Sequence, residues 1–151
     1  MRRFESLSEL AGCVGQDVAV SDWLRIDQAM INAFAHATGD HQWIHTDPQR
    51  AASGPFGTTV AHGFLTLSLL PHFFDTTFDI GASSMGVNYG LNRVRFMSPV
   101  PVDSRVRAQL HLLSCEPVAG DGVQLTWRVT VELEGADKPA CVAESVVRRY
   151  P

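Results

Sequence analysis

Two short stretches hold most of the residues able to do chemistry. They are Gly39-Asp40-His41-Gln42-Trp43-Ile44-His45-Thr46-Asp47-Pro48 and Gly57-Thr58-Thr59-Val60-Ala61-His62-Gly63-Phe64. Asp40 supplies an acid, and His45 a base that titrates near neutrality without special help. Gly63 sits near the start of an apolar segment, where a helix leaves backbone N–H groups without intrahelical partners. An acid, a base and a backbone donor held together are what addition of water to an activated double bond requires. Taken singly, each has a plainer reading: Asp40 as a turn or cap residue, His45 as a satisfied structural histidine, Gly63 as a point of close packing. It is their combination that reads as a site.

The spacing needs a break in the chain to work. On one continuous helix, residues 40 and 45 would point about 140° apart. Gly39 interrupts the helix first, so a turn can bring the two side chains together. An enclosed pocket is expected around Asp40, where a carboxyl group holds its proton more readily. His62 either orients a neighbour or caps the helix that follows it. His41 and His45 have the i, i+4 spacing of metal ligands, but a zinc site needs a third ligand and a helix spanning both, so no metal is expected. His36, His41 and His72 are given no role.

The elements that position these residues follow from periodicity. Residues 17–24 alternate loosely as a short strand. Ile26, Met30, Ala33, Phe34 and Ala37 recur at helical spacing, with Asp27 as N-cap and Gly39 as C-terminal stop. Asp47-Pro48 starts a second, short helix that Gly54-Pro55 ends. Residues 60–70 are apolar nearly all round and read as a buried helix, capped by Thr58 or Thr59 and ended by Pro71. After Gly81 the period changes to two. Residues 87–96, 106–112, 123–133 and 140–149 read as antiparallel strands joined by turns at 120–122 and 134–137. The fold class expected is α+β: one domain, 1–151, in which an antiparallel sheet curls around a central helix, the hot-dog arrangement. One such domain leaves a sheet edge and part of the helix uncovered, so a homodimer is expected.

The bulk numbers fit this reading. The chain has 151 residues, 45% hydrophobic, enough for a single core, and a net charge of −4. Nothing in it suggests the basic face that nucleic acid needs. Arg93, Arg95, Arg105 and Arg107 form the densest cationic cluster, read equally as a site for an anionic ligand or as a solvated sheet edge. Cys13, Cys115 and Cys141 are far apart and odd in number, which suits reduced thiols in a cytoplasmic protein rather than a disulfide framework. No apolar run follows Arg2 and Arg3, so no signal peptide is expected, and no segment reaches the roughly 20 apolar residues of a membrane span.

Gly39-Asp40-x-x-x-Ile44-His45-x-Asp47-Pro48, followed by Ala61-His62-Gly63, resembles the hydratase-2 motif of MaoC-like (R)-specific enoyl-CoA hydratases. The form Gly-Asp-His-Gln-Trp-Ile-His is similar to the nodulation-protein-N-like branch, close to mycobacterial (R)-specific hydratases. The resemblance extends over the whole chain, including residues 88–96 and 139–145. It implies a hot-dog dimer that reversibly hydrates a trans-2-enoyl-CoA to a (3R)-3-hydroxyacyl-CoA. Asp40 and His45 would be the catalytic acid–base pair and the Gly63 amide the oxyanion donor. Trp43, Phe56, His62, Asn88 and Arg93 would contact the acyl-CoA thioester, and no cofactor would be needed because CoA is part of the substrate. Gln42-Trp43 replaces the Asn-Pro of the wider family, and the Trp adds bulk that would narrow the acyl pocket. Three other readings share the fold: an acyl-CoA thioesterase, a dehydratase acting on acyl-carrier protein, and a non-catalytic acyl-CoA-binding module. The Asp-x4-His motif followed by His-Gly argues against the first. The presence of both Asp40 and His45 argues against the last.

Overall fold

A computed structural model describes residues 1–81 and 83–151. The chain opens with β1 (Arg2–Phe4), α1 (Leu7–Ala11), β2 (Asp17–Val20) and β3 (Leu24–Arg25). Helices α2 (Gln28–Thr38), α3 (Trp43–Thr46) and α4 (Pro48–Ala52) follow, then α5 (Gly63–Ser68) and α6 (Leu70–Thr77). After β4 (Phe78–Ile80) come the long strands β5 (Met85–Phe96), β6 (Arg105–Val118), β7 (Gly122–Leu133) and β8 (Cys141–Tyr150).

The main sheet is antiparallel in the order β2-β6-β7-β8-β5, with β3 also on β6. Strict alternation along β7 decides which face meets the core. Val129 lies between Leu110 on β6 and Ala143 on β8, and Val131 between Ala108 and Cys141. All six are fully buried. Against this face pack Leu65 of α5 and Leu70, Phe73 and Phe74 of α6. Trp127 joins the layers, its ring centroid 5.3 Å from Phe74 and 5.5 Å from Phe78. A sheet curled over a central helical segment is the hot-dog fold that the alternation implied.

The central segment departs from expectation in three ways. Val60 bridges to Pro101, and the Ala61 N–H donates to the Val100 carbonyl at 2.8 Å. Both residues are therefore extended, and the helix begins only at Gly63, with His62 rather than Thr58 or Thr59 as its N-cap. Pro71 does not end the regular structure. It sits in the first turn of α6, where a missing N–H costs nothing. The segment is also not buried all round, because Phe64 is 68% exposed.

Smaller differences have local causes. Residues 17–24 form two strands, since Ser21 leaves the ladder to bond Ala108. The buried stripe of α2 is Ile31 and Ala35, flanked by half-buried Met30 and Phe34, whereas Ala33 and Ala37 are exposed. The parallel pair β1·β4 was not foreseen, because three-residue strands carry no periodic signal. Cys13 and Cys141 are buried and Cys115 is half-buried, all three as free thiols, and burial pushes the Cys141 thiol up to about 11. Among the described residues no helix is long and apolar enough to cross a membrane.

Candidate active site

The Asp27 side chain starts α2 by accepting the Met30 N–H at 2.8 Å. Gly39 ends it in the left-handed region at φ 79°, donating its N–H to Ala35. That conformation strains residues with a Cβ, and it redirects the chain in one step. Asp40 follows, its carboxylate accepting the Gln42 N–H at 3.3 Å. The single turn of α3 then rotates His45 inward. A helix break plus one short turn thus converts an unfavourable helical spacing into a meeting. A carboxylate oxygen of Asp40 and ring nitrogens of His45 and His62 all lie within 4.8 Å of one another.

His45 is 7% exposed. Its Nδ1 stands 2.6 Å from the Val60 carbonyl oxygen. A carbonyl only accepts, so Nδ1 carries the hydrogen and Nε2 keeps a lone pair. The Val60 N–H returns to the Ile44 carbonyl at 3.0 Å, which pins the two segments together. Gln28 donates to the His45 carbonyl at 2.7 Å and accepts from the Thr59 hydroxyl at 2.6 Å. Burial holds the His45 imidazole below its ordinary value; the Val60 bond opposes this, neighbouring His62 adds to it, and Asp40 opposes it.

His62 is 3% exposed and does not cap α5 with its side chain. Its Nε2–H donates to the Asp40 backbone carbonyl at 3.0 Å. Its ring stacks on His45 with centroids 3.8 Å apart and planes 24° apart, and meets Phe34 at 4.9 Å. The trio has the composition of a two-histidine, one-carboxylate metal site. The stacking argues against one. A metal ion lies in the plane of each imidazole that binds it, at about 2.0–2.1 Å, and two nearly parallel rings have no common in-plane point that close.

Gly63 directly follows His62, so its amide is one peptide from the ring stacked on His45. It is the first residue of α5, and among the described residues no carbonyl accepts its N–H. A Cβ at this position would meet the Phe96 ring at 3.1 Å. Gly63 and Phe96 line one groove with Ala61, Thr66 and Met97.

The other expected contacts scatter. The Trp43 ring lies against Gly54 and beneath the Arg50 guanidinium, 4.4 Å from its centroid, so its bulk is taken up by the α3–α4 corner. Phe56 is exposed in the loop after α4. Asn88 lies on β5, lining grooves toward α6 rather than the pair. The arginine cluster divides. Arg105 pairs with Glu134 and Arg107 with Glu132, whereas Arg93 and Arg95 join Arg128 in a groove of about 550 Å³ that also contains Phe96, Met97 and Glu144, the last opposite both Arg93 and Arg128 in the strand register. Among the described residues no carboxylate forms an ion pair with these three. Asp40 itself is exposed in the single chain, not enclosed as expected. The Val60 carbonyl and Gln28 were missed, because a backbone acceptor leaves no mark in side-chain spacing.

A family model described as MaoC like domain matches residues 9–133. The chain is 56% identical over 148 residues to 3-hydroxyacyl-thioester dehydratase Z of Mycobacterium tuberculosis, covering 98% of each chain. It is 49% identical over 140 residues to Nodulation protein N of Rhizobium meliloti, covering 91% of this chain and 87% of that one. Among solved structures, the (R)-hydratase from A. caviae involved in PHA biosynthesis superposes with a TM-score of 0.64 at 25% identity, covering 91% and 96% of the two chains.

Proposed function

Because the chain belongs to the MaoC-like dehydratase family and is a hydro-lyase of hot-dog fold, we propose that it reversibly hydrates a trans-2-enoyl-CoA to a (3R)-3-hydroxyacyl-CoA. The observation that carries this is the approach of the Asp40 carboxylate and His45 ring within 4.8 Å, with the Gly63 amide, which has no backbone acceptor among the described residues, one peptide from the His62 ring. In hydration, Nε2 of His45 takes a proton from water as the water oxygen bonds to C3. The Asp40 carboxyl delivers a proton to C2. The thioester oxygen gains charge between these events, and the Gly63 N–H donates to it. Passing the proton from His45 back to Asp40 closes the cycle. Dehydration is the same path reversed, which fits the dehydratase name of the mycobacterial relative. This chemistry uses no redox group or metal. Arg93, Arg95 and Arg128 are the proposed holders of the carrier's phosphates, since guanidinium pairs with phosphate bidentately. Their groove meets the one beside Gly63 at Phe96 and Met97.

The pH dependence has a fixed sign. The base must be neutral, and burial keeps the His45 imidazole below 6.5. The kcat/KM profile should therefore fall on the acid side, as His45 takes up a proton, with a midpoint under 6.5. An acid-side midpoint above that value, for a substrate with no titrating group, would contradict His45 as the base.

Assembly belongs to the same proposal. Strand β5 is exposed along almost its whole length and is a free edge of the sheet. It carries Met85, Val87, Tyr89, Leu91 and Phe96, with Phe64 exposed nearby on α5. A long, apolar, unpaired edge is the surface that a second copy covers by continuing the sheet. Sedimentation at micromolar concentration should show a dimer, with specific activity falling on dilution; a fully active monomer would refute it.

The direct test is loss of enoyl-thioester absorbance on addition of protein, with chiral analysis of the product. A (3R)-hydroxyacyl thioester is the expected outcome. Release of free thiol without hydration would instead mark a thioesterase.

A further inference from the structure

His62 presents an unresolved cost. Its Nδ1 is buried with no hydrogen-bond partner among the described residues. A phenyl ring would fill a similar shape without stranding a polar atom, so an imidazole here needs a reason. An unmet lone pair is less costly than an unmet N–H, and the other ring nitrogen is used: Nε2–H bonds the Asp40 carbonyl at 3.0 Å. The same ring lies flat on His45, 3.8 Å away. One rigid side chain thus touches the backbone of the acid and the ring of the base.

We propose that His62 is the positioning residue that sets Asp40 and His45 relative to each other, through its Nε2–H on the Asp40 carbonyl and its stack on the His45 ring. This rests on the reading of Asp40 and His45 as the acid–base pair. Three features support it. Asp40 is exposed and follows a glycine in the left-handed region, and besides the His62 bond its backbone has only a long one, from its N–H to the Thr38 hydroxyl at 3.4 Å. His45 is fixed along one edge by Val60, which leaves the tilt of its ring to whatever packs on its face. The Phe34 ring, 4.9 Å from His62, braces the stack from α2. Because Nδ1 is sealed from solvent, His62 does not reach substrate with its free nitrogen. Its effect is carried by the two residues it holds. Small errors in such an alignment are costly, a misplacement of about 1 Å being able to lower a rate by roughly 10²-fold.

The test separates the N–H from the ring. His62→Phe keeps a flat ring against His45 and Phe34 but has no donor. His62→Gln places an amide N–H where Nε2–H stood. The expected result is a kcat for His62→Phe roughly 10–100-fold below wild type, on the scale of a misaligned pair, with KM little changed and a substantial part of kcat restored in His62→Gln. Folding is checked by circular dichroism, and His62→Met replaces the Phe variant if that one does not fold. Equal kcat in the donor and non-donor variants, high or low, overturns the proposal. A readout independent of turnover is the ring tautomer. ¹⁵N-resolved spectra of the ligand-free wild type should show His62 with its hydrogen on Nε2; hydrogen on Nδ1 overturns the proposal. A wild-type protein inactive on every enoyl thioester but with the expected tautomer would sink the functional reading and leave the clamp standing.

Discussion

Asp40→Asn and His45→Gln each lower kcat by roughly 10²–10⁴-fold, the scale of a positioned acid or base, while the protein stays folded. The structural reasons for intact folding differ. Asp40 is exposed, so an amide there disturbs little beyond the bond to the Gln42 N–H. His45 is buried and satisfies the Val60 carbonyl. Truncating it to alanine would strand that oxygen, at a cost of about 1–3 kcal/mol. Glutamine retains a donor in the same region and has no base, which makes it the cleaner probe. The double variant should be barely worse than either single one, because in the proposed mechanism both residues act on one water and either loss disables the unit. Near-wild-type kcat in either folded single variant would remove this mechanism.

Gly63→Pro isolates the proposed oxyanion donor. Proline has no N–H, and it is well tolerated at the first position of a helix, which is where Gly63 lies. The residue before a proline must be extended, and His62 already is, at φ −59° and ψ 138°. The backbone therefore accepts the change. The remaining disturbance is the ring itself: a Cβ 3.1 Å from the Phe96 ring, and a Cδ where the N–H stood. Gly63→Ala introduces the same Cβ and keeps the N–H, so it is the matched control. Relative to that control, the proline variant should lose roughly 10²–10³ in kcat, the usual effect of deleting one oxyanion-hole donor. Equal rates in the two variants would mean that the thioester oxygen is held elsewhere.

Much of this site could be read without a fold. Asp27, Gly39 and Asp47-Pro48 mark helix ends through local bonds and backbone preference, and each stands where it was read. The strands β6 to β8 follow from a period of two, which short-range sterics and one buried face impose, whereas β5, read the same way, is exposed on both faces. The approach of Asp40 and His45 was legible because a glycine stop between α2 and His45 permits a turn. The central helix was misread at both ends for one reason: apolar composition reports burial, and burial does not distinguish extended backbone from helix. Val60 and Ala61 are apolar because they pair with the segment at 100–101, and Pro71 begins a helix instead of ending one.

What the sequence determined by itself was therefore local: caps, stops, alternation, and the presence of an acid, a base and a helix-start amide in one short interval. These depend on neighbours a few residues away, and the code for them is short-ranged. Tertiary structure alone decided the tautomer of His45, which rests on a carbonyl 15 residues along the chain, and the clamp of His62 on Asp40, 22 residues back. It also decided the division of the arginines. Glu134 and Glu132 neutralise Arg105 and Arg107 across the β6–β7 pairing, while Arg93 and Arg95 stand on the free edge and share a groove with Glu144 of β8 and Arg128 of β7. Such assignments depend on which strand or loop lies opposite. That is set by the register of a whole sheet and the packing of a whole core, and no local stretch of residues encodes it.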